Sequence, residues 1–236
     1  MSAASLEVTG LSAGHGPIRI IEDITFSVPA GGRLAVLGRN GMGKTTLLAT
    51  LAGQTRRHAG SIRLGRKEIA QMDGPTRALG GLGYVPQHRA IFKSLSVEEN
   101  LFVGLKARPR SAIEEAYALF PRLRERRRNL GGQLSGGEQQ MLSTARTILG
   151  QPDVLLLDEP LEGLAPVIRE ELMAAFGALA QSQAMTILLV EQRIEAALNF
   201  ADSVLILQGG RTAWTGTPQD LAAQPETVDR LLGLRR

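Results

Sequence analysis

Two glycine-rich segments of this 236-residue chain are built like phosphate-binding corners: "GRNGMGKTT" (Gly38 to Thr46) and "QLSGGEQQM" (Gln133 to Met141). In the first, Gly38, Gly43, Lys44 and Thr45 stand at the G-x-x-x-x-G-K-[ST] spacing of a Walker A loop. Glycines at 38, 41 and 43 permit positive φ and close backbone approach. The loop's N–H groups, those of Arg39, Asn40, Met42 and Thr46 among them, can then surround phosphate oxygens. A following helix directs its N-terminus at the same charge. Lys44 supplies a mobile cation for β- and γ-phosphates, and the Thr45 hydroxyl can ligate Mg²⁺. A plain glycine-rich turn is the alternative, and the position after a strand-like run and before a helix-like one speaks against it.

A second element, "VLLLDEP", delivers Asp158 to the end of an apolar run, where open α/β sheets bind ligands. Asp158 can hold Mg²⁺ through its water shell, and Glu159 can hydrogen-bond an attacking water as base or polarising group. Such an acidic pair is often only a helix cap. In company with the Walker A loop it reads as catalytic.

The elements that position these groups are those of a mixed α/β chain. "LEVTGL" and "EDITFSV" alternate like half-exposed strands, and "RLAVLG", "GSIRL", "GLGYVP", "DVLLLDE", "MTILLVE" and "SVLIL" are further strand candidates. "KTTLLATLAG" is helix-compatible. Between Tyr84 and Gly136 the character turns helical, with Ser96 and Ser111 as N-cap candidates, so a helical subdomain of about residues 88–150 is expected within one domain, 1–236. "VLILQGGRTAWTG" predicts a final hairpin turning on Gly209-Gly210.

Composition narrows the classes. Hydrophobic content is 43% with 21% charged residues, ordinary for a soluble globular chain, and no apolar run approaches a membrane span. The N-terminus lacks a basic-then-apolar signal segment, so secretion is not expected. With no cysteine there are no disulfides or thiolate metal sites, which suits a reducing cytoplasm. A net charge of +4, from 23 arginines and 4 lysines against 23 acids, does not by itself argue for nucleic acid or lipid.

"LSGGEQQ" (Leu134 to Gln140), standing between the Walker A loop and "VLLLDEP", resembles the signature motif of ATP-binding cassette (ABC) ATPases. The resemblance spans essentially the whole chain. It implies a P-loop NTPase fold with a RecA-like core, an antiparallel β subdomain and the inserted helical subdomain. It also implies ATP and Mg²⁺ as ligands, and two cassettes facing head to tail, so that the Walker A loop of one and the signature of the other enclose each ATP. Ser135, Gly136 and Gly137 open a helix and offer a hydroxyl, free N–H groups and a positive dipole end to such an anion. Gln87 in "YVPQ" resembles the Q-loop glutamine that reaches Mg²⁺ and the attacking water. Gln192 in "ILLVEQ" stands at the family's switch-histidine position, where it can hydrogen-bond a γ-phosphate but not carry charge. His15 aligns with the aromatic residue that stacks on adenine, a plain loop histidine being the alternative, and Ala165 replaces the usual D-loop aspartate.

"EGLAP", "LLVEQ", "LFPRLRERR" and "SGGEQQM" together are similar to the ATPase subunits of bacterial branched-chain amino acid importers and their urea and short-chain amide relatives. That branch implies a second, different ATPase subunit (a homodimer remaining open), two permeases, a periplasmic solute-binding protein and a place on the cytoplasmic face of the inner membrane. The isolated chain is expected to be soluble. No nucleic-acid partner is expected: "PRLRERRRN" (Pro121 to Asn129) reads as a solvated helix face with Glu125 among its ion partners, a permease or lipid contact being the alternative. "IFKSLSVEENL" (Ile91 to Leu101) is the candidate permease contact, with Glu98 and Glu99 as its charges. Two other classes compete: a soluble ABC ATPase acting on DNA or ribosomes, and a nucleotide-binding regulator without catalysis. The single cassette without inserts opposes the first; Lys44, Asp158 and Glu159 oppose the second.

Overall fold

Runs such as "VLLL" and "ILLV" are apolar at every position because their strands are buried on both faces. In the computed structural model, which describes residues 3–182 and 185–233, the first half of the chain runs β1 (Leu6–His15), β2 (Ile18–Val28), β3 (Arg33–Leu37), α1 (Lys44–Leu51), β4 (Arg56–Leu64), β5 (Lys67–Glu68), α2 (Gly74–Leu79), β6 (Leu82–Val85) and α3 (Val97–Gly104). It continues through α4 (Ile113–Leu119), α5 (Pro121–Glu125), α6 (Gly136–Leu149), β7 (Val154–Asp158), α7 (Pro166–Gln181), β8 (Thr186–Val190), α8 (Ile194–Phe200), β9 (Ser203–Gln208), β10 (Arg211–Gly216), α9 (Pro218–Ala222) and α10 (Pro225–Leu232).

The larger sheet has the order β10-β9-β3-β8-β7-β6, parallel except where β10 returns against β9. Leu155, Leu157, Ile187 and Leu189 pack in one core with Leu101, Met141 and Leu142 of the helical stretch. Their neighbours Leu156, Leu188 and Val190 pack with Leu47 and Leu48 of α1 and with Ile24 and Ile62 of the smaller sheet. That smaller sheet, β2-β1-β4-β5, is antiparallel throughout. The final hairpin does turn on Gly209 and Gly210, both at positive φ, and the Gly210 carbonyl accepts from the Glu22 N–H at 2.9 Å, joining the two sheets.

The helical stretch differs in three details from what its sequence predicts. Ser96 caps α3 as expected, in a reciprocal box with Glu99. Ser111 caps nothing. Pro109 starts a 3₁₀ turn over Arg110–Ala112, so the chain is already helical at 111 and α4 follows without a side-chain cap. Pro121 then divides the expected helix into α4 and α5, with Phe120 at φ −133°, ψ 83°. The arginine run is ion-paired, but not with Glu125: Arg122 reaches Glu171, Arg124 reaches Glu114, and Arg126 reaches Glu138. Among the described residues no helix is long and apolar enough to cross a membrane.

Candidate active site

Strands β3, β7 and β8 end side by side, and Lys44, Glu159 and Gln192 follow them in the chain. At Gly38 (φ 150°) a Cβ would stand 2.6 Å from the Leu207 carbonyl oxygen, and at Gly43 (φ 96°) 2.7 Å from Ile21 Cγ2. The loop is thus pressed against neighbouring backbone and the small sheet on one side. Gly41 (φ 79°) meets nothing on the other, which is the room a phosphate chain needs. Met42 is turned toward the final hairpin, its sulfur accepting from the Gly209 N–H at 3.1 Å.

Lys44 is only 4% exposed. Its Nζ donates to the Gly38 and Arg39 carbonyls at 2.8 and 3.2 Å and lies 3.7 Å from Glu159 Oε1. Neutral carbonyls are weaker partners for an ammonium than phosphate oxygens, so the cation is parked where a triphosphate can claim it. Thr45 Oγ1 donates to Asp158 Oδ1 at 3.2 Å, and the Tyr84 hydroxyl donates to Asp158 Oδ2 at 3.2 Å. Burial pushes the Asp158 carboxyl above its usual range, against the lowering effect of those two hydroxyls; burial, then Asp158 itself, push the Tyr84 phenol up. Thr45 and Asp158 are adjacent hard oxygen donors and fit a divalent cation such as Mg²⁺.

Glu159 is 6% exposed and sits in the left-handed region at φ 48°, a conformation costing on the order of 1–3 kcal/mol for a non-glycine residue. Its N–H is fixed on the Val190 carbonyl at 2.9 Å. The Gln192 amide donates to Glu159 Oε2, and the Gln87 amide approaches the same oxygen at 3.4 Å. Gln87 bonds Glu162 Oε2 more closely, at 2.6 Å, so it stands beside Glu159 rather than on the Thr45–Asp158 pair. Gly41, Lys44, Thr45, Gln87, Glu159 and Gln192 line one cavity of about 460 Å³, with Asn40, Gly43 and Thr46 also in its lining.

Three partners escaped the sequence. Tyr84 lies within "YVPQ", Glu162 within "EGLAP" and Glu191 within "LLVEQ", but only the fold brings them to Asp158, Gln87 and Leu161. Glu191 accepts from the Leu161 N–H at 3.0 Å, tying the loop after Glu159 to the end of β8; burial raises its carboxyl's pKa. His15 is exposed at the end of β1 and does not line the cavity, whose small-sheet wall is Ile20. Ser135, Gly136 and Gly137 do not line it either. They begin α6, where Ser135 and Glu138 form a reciprocal capping box.

A family model described as ABC transporter matches residues 21–162. The chain is 37% identical over 227 residues to the high-affinity branched-chain amino acid transport ATP-binding protein BraG of Pseudomonas aeruginosa, covering 94% of this chain and 97% of that one. It is 36% identical over 233 residues to the probable branched-chain amino acid transport ATP-binding protein LivF of Archaeoglobus fulgidus, covering 97% and 99%. A solved ATP binding subunit of an ABC transporter superposes with a TM-score of 0.82 at 27% identity, covering 94% of this chain and 93% of that one.

Proposed function

The chain belongs to the ABC transporter family, and from that premise we propose that it is the ATP-hydrolysing subunit of a membrane importer for branched-chain amino acids or related small polar solutes. One observation carries the catalytic part: Lys44, Gln87 and Gln192 converge on the nearly buried Glu159 beside the Gly38–Thr46 loop. Loop N–H groups and Lys44 bind the β- and γ-phosphates, with His15 as the adenine contact. Glu159 orients a water and takes its proton as the water oxygen bonds the γ-phosphorus and the β–γ bridging bond breaks, leaving ADP and phosphate. Gln192 and Gln87 hold the carboxylate in place. Thr45, Asp158 and Gln87 would hold Mg²⁺, which would supply charge neutralisation on the phosphates.

Ser135, Gly136 and Gly137 stand outside that cavity and serve the nucleotide of a facing ATPase subunit, a different chain, with a second copy of this one as the alternative. Two permeases and, through them, a periplasmic solute-binding protein complete the assembly, with this chain peripheral on the cytoplasmic face of the inner membrane. The helices between 88 and 150 form the subdomain that carries the Ser135 corner. Glu159→Gln protein, tagged in its host and purified from solubilised membranes with Mg-ATP, tests this by mass spectrometry of what accompanies it. A second ATPase subunit with two permeases is the expected result. Recovery only from the soluble fraction with ribosomal or DNA-repair proteins would overturn transport and leave the ATPase standing.

A further inference from the structure

The Ser135 corner, expected to accept a phosphate, holds a carboxylate in its first turn. Glu138 Oε2 accepts from both the N–H and the hydroxyl of Ser135 at 2.8 Å, while Glu138 Oε1 accepts from Arg126 Nε at 3.3 Å. Burial raises the Glu138 pKa, but the Ser135 donors and Arg126 together bring it below the usual carboxylate range. An ionised carboxylate is therefore bonded to the same serine that the arriving phosphate must use, and two anions repel.

We propose that Arg126 is a positioning residue of the composite ATP site: it neutralises Glu138 and so makes the Ser135 corner acceptable to the γ-phosphate of the nucleotide on the facing subunit. The inference rests on the reading of that corner given above. Exposure supports it. The Glu138 side chain is 15% exposed and Arg126 54%, so the cation reaches in from solvent to a sheltered acid. Its neighbours act elsewhere: Arg122 ties α5 to α7, and Arg124 pairs with Glu114 over the face of Tyr117. On the other flank the Arg89 guanidinium rests against Gly136, where a Cβ would stand 3.1 Å from Nη1. Glu138 is the acid bonded to Ser135, and Arg126 is the cation bonded to it.

The test is steady-state ATP hydrolysis by the complex purified through this chain. Arg126→Gln should raise KM for ATP about 3- to 10-fold with kcat changed less, the scale of one uncompensated charge in a partly wet site. Arg126→Lys, which keeps the charge, should stay near wild type. Arg126→Gln with Glu138→Gln should return KM to near wild type, because the acid needing neutralisation is gone. Arg122→Gln, a comparably exposed ion-pair loss, should leave KM unchanged. A KM unmoved by Arg126→Gln, or a double variant no better than the single, would overturn the proposal and leave the ATPase reading intact. Full turnover in Lys44→Ala would remove that reading, and the proposal with it.

Discussion

The two glycine-rich corners use glycine for opposite reasons. Around Lys44 the glycines at 38, 41 and 43 all have positive φ, so the backbone itself takes a shape that side-chain-bearing residues resist. Gly136 and Gly137 do not: they are ordinary first-turn residues of α6, kept small by what presses on them. A Cβ on Gly137 would stand 2.8 Å from Ile168 Cγ2, and one on Gly136 would touch Arg89. One corner is a complete half-site with its cation and its carboxylate folded in. The other is a capped helix start at which the Ser135 N–H and hydroxyl are bonded by its own Glu138. On the function proposed above, the chain owns one catalytic centre and lends a wall to another.

If that division holds, variants of the two corners should differ in size of effect. Glu159→Gln should lower phosphate release by about 10³–10⁴-fold, since it removes the proton acceptor from a pocket otherwise intact. Ser135→Ala should cost roughly 10- to 10²-fold, because the N–H groups opening α6 remain to meet the phosphate. Equal losses would break the comparison by making the serine as indispensable as the base.

Stability should separate them in the same direction. Gly43→Ala must hold φ 96° with a methyl against Ile21, and a loss of about 3 kcal/mol, or roughly 6–12 °C in Tm, is expected. Gly136→Ala keeps helical φ and asks only that the end of Arg89 move, so its Tm should stay within about 2 °C. Paired thermal melts decide it; a Gly136→Ala melt as low as that of Gly43→Ala would mean the second corner is as rigidly packed as the first.

The same contrast explains what the sequence could disclose. The Gly38–Thr46 loop and the helix start at Ser135 are legible because each is set by near neighbours in the chain, and the doubly buried strands because burial on both faces leaves no polar position. Tyr84, Glu162 and Glu191 were not legible, since their partners Asp158, Gln87 and Leu161 lie 74, 75 and 30 residues away. Ser111 misled because a serine before a helical run looks like a cap unless the 3₁₀ turn begun by Pro109 is known. The arginine run found partners on α4, α6 and α7 rather than on its own helix, a choice made by packing.

The catalytic corner also stores a charge it would shed if stability alone mattered. Asp158 is buried, and its pKa is raised by that burial first and by Glu159 among the lesser causes, against Tyr84, Thr45 and Lys44. A carboxyl with a raised folded pKa favours the folded state below its unfolded pKa, near 4, and loses that contribution as pH rises through the folded value. Asp158→Asn should therefore melt a few degrees above wild type at pH 7 without nucleotide, the gap closing toward pH 4, while ATP turnover is lost. A gap independent of pH would assign the effect to packing instead of charge.

The smallest gain expected lies at the brace of the second corner. The first turn of α7 supplies Ile168, which packs on Gly137, yet its N-cap is Ala165 and bonds no N–H through a side chain. Ser96, Ser135 and Thr217 show what a cap does here, each accepting from the N–H three residues on. Ala165 already has the extended φ −63°, ψ 149° of a capping residue, so Ala165→Asp can accept from the Ile168 N–H without moving the chain. A gain of about 0.5–1 kcal/mol, or roughly 1–4 °C in Tm, is expected at pH 7. It should fade below about pH 4 as the new carboxylate, whose folded pKa the cap depresses, takes up a proton. A melt that does not rise would mean that the start of α7 is already fixed by Pro166 and by its packing on the Ser135 corner, leaving a cap nothing to add.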